Sequence, residues 1–379
     1  MIVVQKIVNI LKKETVLVIA SLLAVISMFF VKPQAGYIDY IDFRVLGILF
    51  CLMIVMVKFQ KLGVFSLIAY KLLKRTANTI QLMLVLVFLC FFSSMFITND
   101  VALLTFVPFA ILTLKQAKRE DLLLKVVVLQ TIAANLGSML TPIGNPQNLY
   151  LYNLAGLSLS GFIKLMLPYT MISLGLLLIT ILFSKKEDLV SQGLAQLDMG
   201  GETEDNKFYV HTLIYLFLFV LSLLTVAHIV PWQLVVLIVM GVVFFTDSKM
   251  FGKVDYSLLI TFVAFFIFIG NMGQIPAVKS WILSLVQGRE LLMSVVASQV
   301  ISNVPAAILL SGFTDQYEKL IVGTNLGGLG TLIASMASLI SYKFYVREYP
   351  KKKGQYFWYF TIMNLFFIMV LVVTEVLLA

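Results

Sequence analysis

Long apolar runs fill most of this chain, and two short polar passages interrupt them in the same way. Residues 97–102 read Ile-Thr-Asn-Asp-Val-Ala, and residues 301–306 read Ile-Ser-Asn-Val-Pro-Ala. Each passage is followed by a second break, Asn-Leu-Gly, at residues 135–137 and 325–327. The pattern predicts membrane helices broken at two corresponding places, which is typical of a secondary transporter.

The apolar runs are long enough for helices that cross a bilayer. A crossing needs roughly 17 to 25 mostly apolar residues, and no run shows the alternating pattern of a membrane barrel. The crossings that we predict lie at residues 15–31, 43–58, 121–154, 160–183, 210–228, 231–246, 256–270, 318–345 and 356–378. We therefore expect an all-α polytopic membrane protein with nine crossings, of which 121–154 and 318–345 are broken helices.

Two further apolar regions, about 79–114 and 290–313, contain the polar passages and are interpreted as re-entrant helical hairpins. Lys74 and Arg75 precede the first and Lys115 follows it, so both of its ends are expected on one side. An out-and-back pair of crossings would satisfy these charges equally. The second region has too few apolar residues for a crossing each way, which favours a turn inside the membrane and a cavity beside it.

The two halves of the chain match in order. The first repeat is predicted at 1–183 and the second at 231–379, joined by a cytoplasmic linker and a connecting helix at 184–230. The odd number of crossings between the repeats makes them inverted. Most of the 28 lysines and arginines fall on one side of this topology. That bias predicts a multi-pass protein of the cell membrane with a cytoplasmic N-terminus and an external C-terminus.

Composition narrows the function. The chain is 60% hydrophobic and 12% charged with a mean hydropathy of +1.00, so the lipid bilayer is its expected surrounding. The net charge of +9 belongs to short loops and does not indicate a nucleic-acid partner. Cys51 and Cys90 lie inside apolar runs without metal-ligand spacing, and no nucleophile and base stand together. We expect a transporter and not an enzyme, with no cofactor apart from a coupling ion.

The motifs at the breaks carry a resemblance. They are Thr98-Asn99-Asp100, the run from Gly137 to Asn148 (GSMLTPIGNPQN), Ser302-Asn303, and the run from Asn325 to Thr331 (NLGGLGT). The chain resembles the ion transporter superfamily, in the citrate-transporter-like and arsenical-pump-like group related to the divalent anion/sodium symporters. The resemblance implies that the hairpin tips and the facing broken helices bind the substrate and the ions, and it implies a homodimer.

The residues expected to bind substrate or ions share a position at the tips and breaks. They are Thr98, Asn99, Asp100, Asn135, Gly137, Ser138, Thr141, Gly144, Asn145, Asn148, Ser302, Asn303, Asn325, Gly327, Gly328, Thr331 and Ser335. The resemblance places Na⁺ at two sites. The first is formed by Asn99, Asp100 and Asn145, and the second by Asn303 and Thr331.

Asp100 distinguishes the two tips. It is the only carboxylate deep in the hydrophobic segments, and there it needs a proton, a cation or another partner, although Asp also commonly caps a helix. The leading hypothesis is a secondary active transporter of a small anion, a carboxylate such as citrate, coupled to H⁺ or Na⁺. An arsenite/antimonite efflux permease or a Na⁺/H⁺ antiporter is the alternative, because an Asn-Asp tip is similar to those proteins.

Overall fold

The computed structural model describes residues 14–73, 76–189 and 206–378. Within these ranges the regular structure is helical apart from one isolated bridge between two residues. Most of the predicted linker, together with Lys74 and Arg75, lies outside the described residues. The α-helices are α1 (Thr15–Phe30), α2 (Phe43–Lys61), α3 (Val64–Leu73), α4 (Thr79–Ser93), α5 (Asn99–Gln116), α6 (Leu123–Ser138), α7 (Pro146–Ala155), α8 (Leu159–Leu182), α9 (Asn206–Val226), α10 (Trp232–Asp247), α11 (Tyr256–Gly273), α12 (Pro276–Val286), α13 (Glu290–Ile301), α14 (Asn303–Ser311), α15 (Tyr317–Leu326), α16 (Met336–Glu348) and α17 (Lys353–Leu378).

Seven helical segments of the described chain are long and apolar enough to cross a membrane. They are Phe43–Lys61, Glu120–Ser138, Leu159–Leu182, Phe208–Val226, Trp232–Lys253, Tyr256–Gly273 and Pro350–Leu377. Two of the nine predicted crossings are missing from this set. Helix α1 has only 16 residues, and the predicted crossing 318–345 is divided between α15 and α16. The chain is a multi-pass helical membrane protein, and the count of nine stays a prediction.

Capping side chains fix where several helices begin. The Asp42 carboxylate accepts a hydrogen bond from the Val45 backbone N–H at 2.9 Å and starts α2. The Asp255 carboxylate accepts from the Leu258 N–H at 3.1 Å and starts α11. Each bond satisfies one of the donors that a helix start leaves unpaired. Helices α2 and α11 occupy corresponding places in the two halves of the chain and begin in the same way.

The polar passages separate helices that pack against each other. Helix α4 ends at Ser93 and α5 begins at Asn99, and the two helices are in contact. Helix α13 ends at Ile301 and α14 begins at Asn303, again in contact. Between them Ser302 has a φ of 76°, a positive value that interrupts the helix at a single residue. Each polar passage is therefore a turn between paired helices.

The second breaks divide two helices near the centre of the molecule. The first lies between α6 and α7 and the second between α15 and α16. Each later piece packs against the other half of the chain: α7 contacts α14 and α15, and α16 contacts α5 and α6. The breaks and the turns of both halves therefore meet in one region.

The helices around this centre form a second set of contacts between the two halves of the chain. Helix α1 packs against α11, and α2 packs against α9 and α10. A charged group closes one end of this packing, because Asp247 Oδ2 lies 2.8 Å from Lys58 Nζ and 2.9 Å from Lys61 Nζ. Lys58 is buried whereas Lys61 is exposed, and the shared carboxylate ties the end of α2 to α10.

Candidate functional site

Asparagine side chains connect the two halves at the centre. Asn99 Nδ2, at the start of α5, donates to Asn135 Oδ1 on α6 at 2.8 Å. Ser335 Oγ, which directly precedes α16, donates to the same oxygen at 3.0 Å. Asn135 Nδ2 reaches the Gly328 carbonyl of the second break at 3.4 Å. One buried amide thus joins a hairpin, its own broken helix and the broken helix of the other half.

A second set of amides lies across the first break. Asn145 Nδ2 donates to Ser138 Oγ at 2.6 Å, which spans the break from one end to the other. Asn148 Nδ2 donates to the Ser138 carbonyl at 3.3 Å, one of the acceptors that the end of α6 leaves free. Asn325 Nδ2, on α15, donates to Asn148 Oδ1 at 2.6 Å. This set also links the two halves.

Each hairpin tip is attached to its own break by the same backbone bond. The Asn99 N–H donates to the Gly144 carbonyl at 3.2 Å, and the Asn303 N–H donates to the Ala334 carbonyl at 2.9 Å. In both tips the asparagine Oδ1 then accepts from the next backbone N–H, at 2.9 and 3.0 Å. Asparagine therefore supports the start of α5 and of α14 in the same geometry.

A threonine in each break forms a corresponding hydrogen bond to the hairpin of its own half. Thr141 Oγ1 donates to the Met95 carbonyl, and Thr331 Oγ1 donates to the Gln299 carbonyl at 3.0 Å. Thr331 is exposed, and its backbone N–H also donates to Gln299 Oε1 at 2.8 Å. Its described hydrogen bonds are to Gln299 and not to Asn303, with which it was expected to form a sodium site.

In each half, one glycine lies where any larger residue would collide with the neighbouring helix. A Cβ placed on Gly137 would lie 2.0 Å from the Phe91 carbonyl oxygen and 2.6 Å from Ser94 Oγ. A Cβ on Gly327 would lie 2.7 Å from Ser298 Oγ. Both distances are shorter than van der Waals contact allows. The last turn of each broken helix therefore touches the first arm of its own hairpin, which only glycine permits.

A cavity of about 220 Å³ adjoins the first tip. Thr98 and Asp100 line it from the tip, and Gln60, Lys253 and Asp255 are its other polar lining residues. Asp100 Oδ1 is buried and has no hydrogen-bond partner among the described residues. A carboxylate oxygen without a donor beside an open space is suited to take up a proton or a cation.

The second tip adjoins a smaller cavity of about 30 Å³. Ser302, Val304 and Pro305 line it, and it shares Asp255 and Leu258 with the larger cavity. Both tips are therefore adjacent to the start of α11. The two cavities lie on the same side of the central region.

Aromatic rings fill the space between α7 and α11. Helix α11 packs directly on α14. The Tyr150 ring lies 5.4 Å from Phe266 and 6.3 Å from Phe262 between centroids. The Tyr150 hydroxyl is 2.9 Å from Ser311 Oγ at the end of α14. These contacts pack α7, α11 and α14 against one another around Tyr150, whereas the cavities adjoin Asp255.

The structure brings most of the predicted site residues into this centre. Those within its hydrogen-bond set are Asn99, Asn135, Ser138, Gly144, Asn145, Asn148, Ser302, Asn303, Asn325, Gly328 and Ser335. Thr98 and Asp100 line the cavity. Gln60, Lys253 and Asp255 were not predicted, because nothing in the sequence near them marks a site. No group of three or more His, Cys, Asp or Glu suited to a metal ion occurs in the described part of the chain.

Comparisons with known proteins identify the family of the chain. Residues 1–316 match the model of the citrate transporter family. The chain belongs to this family. A protein named uncharacterized transporter MJ0456, from Methanocaldococcus jannaschii, is 32% identical over 305 residues, which are 79% of this chain and 80% of the relative. The inner membrane protein YbiR of Escherichia coli is 33% identical over 283 residues, or 74% and 73% of the two chains.

Family membership confirms the resemblance read from the breaks and tips. It shows that the chain is a membrane transporter, and it supports secondary transport of anions. The motifs that carried the resemblance are the residues that meet at the centre of the structure.

Proposed function

We propose that the protein is a secondary active transporter of a small carboxylate such as citrate, driven by H⁺ or Na⁺ and working by alternating access. The observation that supports it best is the agreement between the two halves of the centre. The tip-to-break bonds of Asn99 and Asn303 and the close contacts of Gly137 and Gly327 correspond pair by pair. Two equivalent half-sites around one space are the construction by which such transporters expose a substrate alternately.

The contacts also support inversion of the two repeats. Glu120, just before α6, accepts a hydrogen bond from Tyr349 at the end of α16. Asn153, near the end of α7, donates to Asp42 at the start of α2 at 3.0 Å. Helix α2 then runs for 19 residues from Phe43 to Lys61. We infer that the broken helix α6–α7 runs from one end of the molecule to the other and that its counterpart runs back.

The proposed topology has nine crossings and two re-entrant hairpins. In it the repeats are residues 1–183 and 231–379, and the hairpin α4–α5 enters from the cytoplasm while α13–α14 enters from outside. The cavity beside Asp100 lies on the side of Gln60 and Lys253. With the N-terminus inside, this conformation faces the cytoplasm.

The chemistry of the centre suits an anion held without a fixed counter-charge. Helices α7 and α16 both begin at the breaks, and their first turns carry the positive end of the helix dipole. The hydrogen-bond set of the centre consists of amides, hydroxyls and backbone groups. A co-transported cation at Asp100 would supply the missing positive charge.

Transport in proteoliposomes tests this function. Purified protein is expected to accumulate citrate or succinate when an inward H⁺ or Na⁺ gradient is imposed, and to lose accumulation when the gradient is collapsed. Empty liposomes and protein in liposomes without a gradient serve as controls. Absence of flux for every carboxylate under both gradients would overturn the proposal.

The environment of Asp100 supports a second candidate function. Its unpartnered Oδ1 beside the cavity is equally suited to an arsenite/antimonite efflux permease or a Na⁺/H⁺ antiporter. The same liposomes separate the candidates. Arsenite flux, or Na⁺-driven change of internal pH without any carboxylate, would support the second candidate against the first.

A further inference from the structure

Gln147 is a fully buried amide with no partner. It lies in the first turn of α7, directly after the first break, and its exposed fraction is zero. Neither Oε1 nor Nε2 has a hydrogen-bond partner among the described residues. A buried polar group left unpaired costs about 1–3 kcal/mol, so an amide with both atoms unpaired demands an explanation.

Gln130 shows what a structural glutamine looks like in the same protein. It is also fully buried, on α6. Its Nε2 donates to the Leu86 carbonyl at 3.0 Å and to the Phe106 carbonyl at 3.3 Å, which ties α6 to both arms of the first hairpin. Gln147 makes no such connection, so burial of the amide does not serve the packing of α7.

The second half shows that the fold does not need an amide at this position. When the breaks are aligned at Asn145 and Ser335, the counterpart of Gln147 is Ala337. Ala337 is also fully buried, in the first turn of α16. The same place in the same architecture is therefore occupied by a methyl group in one half and by an unpaired amide in the other.

The surroundings of Gln147 indicate the chemistry that would satisfy it. In the first turn of α7, Pro146 has no N–H and the Asn148 and Leu149 N–H groups donate to the Asn145 carbonyl, so the Gln147 backbone N–H is left facing the positive end of the helix dipole without a helical acceptor. The next residue, Asn148, accepts from Asn325, whose Oδ1 is buried and also has no partner. The Gln147 amide and its backbone N–H are donors suited to an oxyanion, and Gln147 Oε1 is an acceptor suited to a hydroxyl.

We propose that Gln147 binds the transported anion, with Nε2 donating to a carboxylate oxygen and Oε1 accepting from a hydroxyl or protonated carboxyl of the same molecule. This inference rests on the proposed function and extends it to a binding residue. Hydroxycarboxylates such as citrate offer both kinds of group. Ala337 offers neither, so the anion is bound asymmetrically, by the first broken helix.

Thermal unfolding of the purified protein without ligand gives the first test. Gln147→Met keeps the volume and removes both unpaired polar atoms, so its melting temperature is expected to equal or exceed that of the wild type. Gln130→Met is the matched control and is expected to melt lower, because two buried carbonyls lose their donor. If Gln147→Met melts as much lower as Gln130→Met, the amide is structural and the proposal is wrong.

Citrate binding gives the second test. In the wild type we expect citrate to raise the melting temperature and to be accumulated in liposomes. In Gln147→Met the citrate Kd and the transport KM should rise at least about tenfold, as expected for loss of a hydrogen bond to a charged group. An unchanged Kd in a variant that folds would overturn the inference while leaving the proposed function intact. Absence of carboxylate flux in the wild type would instead overturn the proposed function, and this inference with it.

Discussion

The two hairpin regions share their backbone and differ in their chemistry. At both tips an asparagine N–H bonds to the carbonyl that ends the break, and the asparagine side chain supports the start of the next helix. The residue that follows is Asp100 in the first tip and Val304 in the second. The first tip faces a cavity of about 220 Å³ and the second a cavity of about 30 Å³.

The scaffolds around the tips differ in packing as well. When α2 and α11 are aligned at their capping aspartates, Leu49 and Met53 correspond to Phe262 and Phe266. The first pair lines the open cavity, and the second packs against Tyr150. The repeated hydrogen bonds hold both tips in the same way. The acidic side chain and the larger cavity, by contrast, belong to the first half in this conformation.

The largest effect is expected from Asp100→Asn. The amide cannot exchange a proton and is a weaker ligand for a cation, so gradient-driven accumulation in proteoliposomes should be abolished. Asp255→Asn is the matched control, since it removes the other carboxylate of the cavity and asparagine keeps the cap of α11. Unchanged accumulation by Asp100→Asn, or equal loss in both variants, would show that the first tip has no special role.

Glycine substitutions compare the close contacts of the two halves. A Cβ on Gly137 would lie 2.0 Å from the Phe91 carbonyl oxygen, whereas the shortest contact of a Cβ on Gly327, to Ser298 Oγ, would be 2.7 Å. Gly137→Ala should lower the free energy of unfolding by about 3 kcal/mol or more, and Gly327→Ala by less. Thermal unfolding in detergent measures both. Equal losses would mean that the two contacts are equally rigid.

Asparagine substitutions compare the links between the halves. Asn135→Ala leaves Asn99 Nδ2, Ser335 Oγ and the Gly328 carbonyl with fewer partners, so a loss of about 2–3 kcal/mol is expected. Asn325→Ala removes only one such link, to Asn148, and should cost about 1 kcal/mol. Unfolding in denaturant separates the two values. A larger loss for Asn325→Ala would reverse the assignment of the stronger link.

Tyr150→Phe tests whether the contacts of Tyr150 keep one side of the centre closed. The variant keeps the ring packing and loses the hydroxyl bond to Ser311, worth about 1 kcal/mol, which is roughly a fivefold shift in the population of the closed state. An impermeant thiol reagent should then modify Val304→Cys faster from the side opposite Lys253. Tyr169→Phe, which loses a distant bond to Glu375, is the control. Equal labelling in all variants would contradict a gate at Tyr150.

The smallest effect is expected at the mouth of the cavity. Lys253 lines it and is exposed, so Lys253→Gln should raise the KM for the anion no more than about threefold, and less at high salt. Lys249→Gln is the control, because Lys249 is also exposed and does not line the cavity. An equal change in both variants would indicate a general surface charge effect.

Much of the fold was predicted correctly because the signals are local. Hydropathy marks helices such as α8, predicted at 160–183 and observed at Leu159–Leu182. The polar passages gave the positions of the turns before Asn99 and Asn303. Helix α1 illustrates the limit, since its apolar run ends after 16 residues and does not by itself reach the length of a crossing.

The helices, the family and the residues at the tips and breaks can be read from the sequence, because apolar runs and short motifs act through neighbouring positions. Which side chains meet depends on the packing of helices that are distant in the chain. Asn135 contacts Ser335 and Asn148 contacts Asn325, each across about half the chain, through the crossing of α7 and α16 onto the opposite half. The absence of any partner for Gln147 is likewise a property of the packed interior of the described chain. Such pairings depend on how the helices pack against one another, and the hydrophobic period of a single helix does not specify that packing.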